Sequence, residues 1–289
     1  MLCPKLSIPV RLIPLLFFVA VASNALALTK LANLRYADRN KHALGLDLFL
    51  PDTPPPAAGY PLIISFHGGG WALGNKHNDL FLRPLVAQGY ALASVDYRLS
   101  GQAPFPAQIE DCRDAVHWLL RQADALKLDR NRIAVTGISA GGHLALLLAF
   151  SEGHWFVAGG SAPLPPHTIK AVVSFYPPTD LISIVPPKSR DSETNLVALL
   201  LGGSVNKHLA LAREGSPITY VKAGSPPVFL VHGDRDKTVP LDQSLNLARA
   251  LKEEHTQVSL QIYQGKGHAF WPRKETMDEI GKFLRARLN

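Results

Sequence analysis

The sequence predicts an α/β domain: a mostly parallel central sheet with helices on both faces and a small, partly helical insertion over its carboxyl end. Three observations carry this expectation. Short apolar, β-branched runs alternate with stretches of helical periodicity from about residue 60 onward, which is the pattern of a parallel sheet connected by crossover helices. One such run, Ile133-Ala134-Val135-Thr136, leads straight into Gly137-Ile138-Ser139-Ala140-Gly141 and then into the small-residue and leucine run Gly142–Phe150. That is a strand turning sharply into a buried helix. The length of 289 residues, 47% of them hydrophobic, allows one large core.

In chain order, Leu31–Tyr36 and Leu44–Leu50 predict two strands around the polar turn Asp38–Lys41, an antiparallel hairpin at one sheet edge. Pro51–Pro61 is a turn-rich connector. Leu62–Phe66 is a short, fully apolar strand ended by His67-Gly68-Gly69-Gly70-Trp71. A helix is expected over Asn78–Gln88, stopping at Gly89, followed by a strand over Ala91–Tyr97. Pro106 opens a helix with Ile109, Cys112, Val116, Leu119 and Leu120 on its apolar face and Glu110, Asp111 and Arg113 toward water. Asp129–Arg132 reads as the turn before the strand that carries Ser139. Ser151–His167 is a loop and Ala171–Tyr176 a strand. Over Pro177–Tyr220 the periodicity weakens, with helical candidates at Thr194–Leu201 and Val205–Arg213; this is the expected cap-like insertion of a single domain spanning 28–289. Val228–Val231 and Val258–Tyr263 are strands, Leu241–Glu253 a helix, and Glu275–Leu288 a closing amphipathic helix.

Residues 1–27 carry Lys5 and Arg11, then an apolar run from Leu12 to Ala22, then Ala25-Leu26-Ala27 at a small-x-small cleavage pattern. This predicts an export signal. The run is too short to span a bilayer comfortably, and Pro14 interrupts it, so no stable membrane anchor is expected after cleavage. The destination is then the periplasm or the medium. Cys3 leaves with that segment, and Cys112 sits at helical spacing among apolar residues as a small buried hydrophobe. The formal net charge of +7 is spread along the chain, without Lys/Arg clusters interleaved with aromatics, so nucleic acid is a poor partner. No His/Cys/Asp/Glu cluster has zinc spacing, and neither a metal nor a cofactor is implied.

A serine hydroxyl needs a base to become a nucleophile, and an imidazole base needs a carboxylate to fix its tautomer. Ser139 on the sharp turn, a carboxylate after the strand at Phe229 and His268 after the strand at Tyr263 would all project from carboxyl ends of sheet strands. Asp236 is the expected acid. Asp234 is the competitor, its alternative role being to cap the local turn. The three glycines after Phe66 let backbone N–H groups point into a cavity, as half of an oxyanion hole would require. His143 lies on the helix that Ser139 introduces and is expected to pack away from the attack side. His67 and His232 are read as structural. Trp71 and Tyr97 are candidates for the substrate pocket.

Taken together, His67–Trp71, Asp96–Leu99, Phe105–Asp111, Gly137–Leu144, His232–Pro240 and Gly267–Phe270 resemble the esterase/lipase branch of the α/β-hydrolase superfamily, closest to its bacterial feruloyl- and acetyl-esterase-like group. The likeness covers nearly all of the chain after the signal. It implies a triad of Ser139, Asp236 and His268, with an oxyanion hole from the N–H groups of Gly69, Gly70 and Ala140. The implied activity is an acyl-enzyme hydrolysis of small-acyl or aryl esters, free or linked to polysaccharide. An amide hydrolase with the same triad and a catalytically silent binding fold are the alternatives; the oligomeric state stays open. One departure is Ile138, where many relatives carry an acidic residue.

Overall fold

The computed structural model describes residues 28–39, 42–78, 80–156 and 160–288; the export signal expected over residues 1–27 lies outside them. Eight strands form one sheet: β1 (Thr29–Arg39), β2 (His42–Leu50), β3 (Tyr60–Phe66), β4 (Ala91–Val95), β5 (Leu128–Ile138), β6 (Ile169–Phe175), β7 (Val228–Gly233) and β8 (Val258–Tyr263). Their spatial order is β1-β2-β4-β3-β5-β6-β7-β8. β1 and β2 form an antiparallel hairpin, β2 pairs antiparallel with β4, and every later pairing is parallel. The chain passes from β4 back across β3 to lay down β5. The carboxyl ends of β3 and β5 therefore flank the point where the winding reverses, the crevice in which such sheets place their ligands.

Side chains of successive strand residues alternate between two apolar layers. Leu62, Ile64, Val135 and Leu230 face one layer, with Ile109, Val116 and Leu119 of α2 (Ala107–Leu126), Leu144 and Leu148 of α3 (Ala140–Phe150) and Leu247 and Leu251 of α6 (Asp242–Glu253). Ile63, Leu92, Val173 and Val231 face the other. There they meet Leu85 and Val86 of α1 (Arg83–Val86) and Ile280, Leu284 and Leu288 of α7 (Lys274–Leu288). Because α3 lies under the sheet with no polar face, it buries all eleven of its residues. Residues 177–220 hold two short helices, α4 (Leu196–Leu201) and α5 (Leu209–Glu214), with turns between them. The Asn195 side chain accepts from Ala198 N–H and starts α4, and Gly202 in the left-handed conformation ends it. Among the described residues no helix is long and apolar enough to cross a membrane.

Three expectations need correction. The helix over Asn78–Gln88 shrinks to a 3-10 turn at Leu80–Leu82 and the four residues of α1. The Asn78 side chain accepts from Asn75 N–H and closes a turn before it, and Pro84, which has no N–H, is accommodated only in the first turn of a helix. The segment Asp129–Arg132 is no turn but the first part of β5; the chain reverses at Lys127, the left-handed cap of α2. Finally, Glu110, Asp111 and Arg113 do not face water but are buried. Asp111 accepts a bidentate pair from the Arg98 guanidinium together with Arg98 N–H. Glu110 accepts from Ser161 N–H, and Arg113 donates to Ser151 C=O while its guanidinium lies 4.5 Å from the Phe156 ring. Each of the three side chains meets at least one polar group distant in sequence, and Glu110 and Arg113 also face each other at 4.0 Å, which helps charged side chains occupy buried positions.

Candidate active site

Ser139 connects β5 to α3 with φ 51° and ψ −119°, a strained conformation for a residue bearing a Cβ. Two contacts enforce it. Ser139 N–H donates to Phe175 C=O at 2.9 Å, tying the turn to the end of β6. Behind it α3 packs so closely on the end of β3 that a Cβ on Gly141 would lie 1.9 Å from the Phe66 carbonyl oxygen. The serine is thus pushed up into the crevice, half-buried, at the positive end of α3.

His268 and Asp236 complete the line. Asp236 follows β7 and is buried; its Oδ1 accepts Thr238 and Val239 N–H, both at 2.9 Å. Its Oδ2 lies 2.6 Å from His268 Nδ1. On the far side of the imidazole, Nε2 is 3.0 Å from Ser139 Oγ. An ionised carboxylate only accepts, so Nδ1 carries the proton and Nε2 presents its lone pair to the serine hydroxyl. Burial by itself raises the Asp236 carboxyl, but hydrogen bonds with His232 and His268 and from Val239 N–H outweigh it and hold the group well below the usual carboxylate range. Asp234 stands outside this line, and it does not cap its own turn as weighed above: its carboxylate accepts Gly265 N–H at 2.6 Å, bridging the β7 and β8 loops.

The glycine-rich loop after β3 lies beside Ser139. Gly69 has φ 113°, and a Cβ there would fall 2.2 Å from Leu73 C=O, so only glycine fits. The loop closes on itself through Ala72 and Leu73 N–H, both donating to Gly69 C=O. Gly70 and Ala140 border the same cavity as Ser139. The Ala140 N–H, in the first turn of α3, has no intrahelical acceptor.

The three histidines read above as structural, His67, His143 and His232, are all buried. His67 is buried, stacks on Tyr97 with ring centroids 4.2 Å apart, and its Nδ1 meets Gly68 C=O at 2.8 Å; burial lowers its pKa. His232 contacts Ser244 Oγ and Val239 C=O. His143 is buried, with Nε2 2.7 Å from Gly215 C=O and Trp71 Nε1–H donating to its Nδ1 at 3.1 Å. Only the neutral tautomer with its proton on Nε2 satisfies both contacts, and burial lowers the pKa to about 4.

Trp71 borders the cavity that Ser139 lines. Tyr97 does not: it is buried beneath the glycine loop, donating its hydroxyl to His67 C=O at 2.8 Å. It supports the loop from below, a role its position two residues past β4 did not disclose.

Two chambers flank the line: Ser139 is in the wall of the first, and the second adjoins the His268 imidazole through Tyr176. One, of about 300 Å³, is lined by Gly70, Trp71 and Ala140 and by Ile184, Val185 and Leu196 of the insertion. The other, of about 200 Å³, is lined by Ile138 with Phe81, Phe175, Tyr176, Phe270 and Trp271. No charged side chain lines either chamber among the described residues. Most of these residues were not anticipated, because they lie on irregular segments or at strand ends where periodicity carries no signal. Among the described residues no group of three or more His, Cys, Asp or Glu side chains could hold a metal ion.

Known proteins resemble this chain over much of its length. The BD-FAE family matches residues 46–251. Esterase LipC of Mycobacterium tuberculosis is 30% identical over 221 residues, covering 74% of this chain and 54% of LipC. An ethyl acetate hydrolase of Pseudomonas putida is 29% identical over 264 residues, covering 88% of this chain and 80% of the relative. The chain therefore spans about half the length of LipC but most of the Pseudomonas protein. Among solved structures, a truncated carbohydrate esterase from gut microbiota superposes with a TM-score of 0.77 at 25% identity, covering 90% of this chain and 96% of that one. The architecture is the α/β-hydrolase fold.

Proposed function

The chain belongs to the BD-FAE family, and from that premise we propose that it is a carboxylic-ester hydrolase working through an acyl-enzyme at Ser139. One observation carries the reading: the unbroken line from Asp236 Oδ2 through His268 to Ser139 Oγ, with contacts of 2.6 and 3.0 Å. His268 Nε2 takes the serine proton as Oγ bonds to the ester carbonyl carbon. Asp236 stabilises the resulting imidazolium, and the carbonyl oxygen, now negative, accepts from the N–H groups of Gly69, Gly70 and Ala140. When the tetrahedral carbon collapses, the C–O bond to the alcohol breaks and His268 returns the proton to the departing oxygen. Water, deprotonated by the same imidazole, then releases the acid and restores Ser139.

The uncharged chambers favour neutral ester limbs. The likeness to an ethyl acetate hydrolase and to a carbohydrate esterase supports short acyl groups, carried on small alcohols or on saccharides. Residues 1–27 support export, which would place the enzyme with extracellular or periplasmic esters.

The test is direct. Purified protein should hydrolyse p-nitrophenyl acetate and take up a fluorophosphonate at Ser139, and Ser139→Ala should abolish both. Wild-type protein inert to both reagents would overturn the assignment. A parallel screen against N-formyl amides separates ester from amide preference.

A further inference from the structure

We infer that the aromatic chamber built on Ile138, Phe81, Tyr176, Phe270 and Trp271 is the site for the leaving alcohol, and that it selects alcohols bearing a flat, uncharged ring. The inference rests on the ester-hydrolase reading and goes beyond it by assigning each limb of the ester to a chamber.

The assignment follows from where the two ester oxygens must go. The carbonyl oxygen has to reach the amides of the glycine loop and of Ala140. The chamber containing Gly70, Ser139 and Ala140 is continuous with those amides, so the acyl limb extends into it, toward Ile184, Val185 and Leu196. The other oxygen must reach His268 Nε2, since it leaves with that proton. The aromatic chamber is the one on the imidazole's side. Ala269 and Phe270 continue directly from His268 into its wall, and the Tyr176 ring stands 4.7 Å from the imidazole, edge to face. An alcohol whose oxygen sits at Nε2 therefore runs along Tyr176 into this space.

The lining then sets what the alcohol can be. Phe81 lies 5.5 Å from Trp271 and 5.3 Å from Phe175, and Tyr176 lies 5.6 Å from Phe270, so rings form the walls. A ring entering between them gains edge and stacking contacts of the same kind. An apolar cavity of roughly 150 Å³ suffices for benzene, and this chamber offers about 200 Å³. Ile138 contributes carbon to the lining and Asn78 its amide, and a cationic alcohol would find no counter-charge among the described lining residues. Trp271 is 71% exposed, so it closes the chamber from outside and its removal leaves the core intact.

The test compares benzyl acetate with ethyl acetate, two esters of one acid whose leaving groups are both alkoxides, so that kcat/KM reads the ring. Wild type should favour benzyl acetate. Trp271→Ala should reduce that preference roughly ten-fold, Trp271→Phe should restore most of it, and neither should alter the preference between ethyl acetate and ethyl hexanoate. A benzyl-to-ethyl ratio unchanged in Trp271→Ala overturns the inference, as does a change confined to the acyl-length preference, which would make the aromatic chamber the acyl site. Failure of the ester-hydrolase reading itself looks different: no ester is turned over by wild type, and Ser139 resists the fluorophosphonate.

Discussion

The two residues joined at the centre of the site, Ser139 and His268, sit on very different ground. Around Ser139 the backbone is interlocked: a methyl group on Gly141 would lie 1.9 Å from the Phe66 carbonyl oxygen, and one on Gly137 would lie 2.4 Å from Gly141. Around His268 there is room, and a methyl group on the adjacent Gly267 would meet nothing nearer than Arg235 C=O at 3.7 Å. The nucleophile is positioned by main-chain contact, and the base by a carboxylate on one side and the Tyr176 ring on another. Precision at a shared hydrogen bond can thus come from steric exclusion at one end and from polar pairing at the other, and each end is sensitive to a different kind of substitution.

The largest effect is expected at the polar pairing that orients the base. In Asp236→Asn the amide oxygen keeps the two backbone N–H bonds that Oδ1 now accepts, which turns the NH₂ toward His268 Nδ1. The imidazole is then forced to carry its proton on Nε2, facing the serine, where it cannot act as base. kcat/KM should fall by about 10⁴ with the unfolding midpoint little changed; a loss smaller than ten-fold would show that this carboxylate does not set the tautomer. At the nucleophile end, Gly141→Ala should invert the usual helix rule. Alanine ordinarily stabilises a helical position by about 1 kcal/mol relative to glycine, yet here it should cost about 3 kcal/mol or more, read by urea denaturation or by loss of soluble protein. A neutral Gly141→Ala would contradict the interlock.

Next in size is a pH effect at the back of the turn. Unfolded His143 takes up a proton near pH 6.5, whereas in the fold it does so only at about 4. The unfolded chain therefore binds more protons between these values, and stability falls as pH drops from 6.5 toward 4, by at most about 3 kcal/mol, with no contribution above that window. Urea unfolding at pH 7 and pH 4.5 should show the loss, and His143→Gln should lack that part of it. The smallest effect completes the contrast: Gly267→Ala should change stability by less than about 0.5 kcal/mol and leave kcat/KM within a few-fold.

Much of this arrangement could be read from residues in order. The turn at Ser139, the succession of strands and the glycine loop after Phe66 all rest on local pattern, and the structure brings Ser139, Asp236 and His268 into one hydrogen-bonded line. What escaped depends on distant partners. Asp111 and Arg113 read as solvent-facing because nothing near them in sequence shows that Arg98 and Ser151 wait at their buried positions. Tyr97 read as a pocket residue because its stacking on His67 crosses thirty residues. The chamber walls escaped because Ile184, Val185 and Trp271 lie on segments without a repeat to reveal which side faces inward.

The contacts of His143 have a consequence for anyone who rebuilds this protein. Through that one ring, the indole of Trp71 beside the glycine loop is coupled to the carbonyl of Gly215 in the insertion. Transplanting the 177–220 segment from a homologue to alter selectivity would therefore reach beyond the chamber it lines. Unless the graft supplies a main-chain acceptor where Gly215 stands, the imidazole loses its anchor and the tryptophan loses its rest. The scaffold can exchange its roof only together with the peg that fastens it.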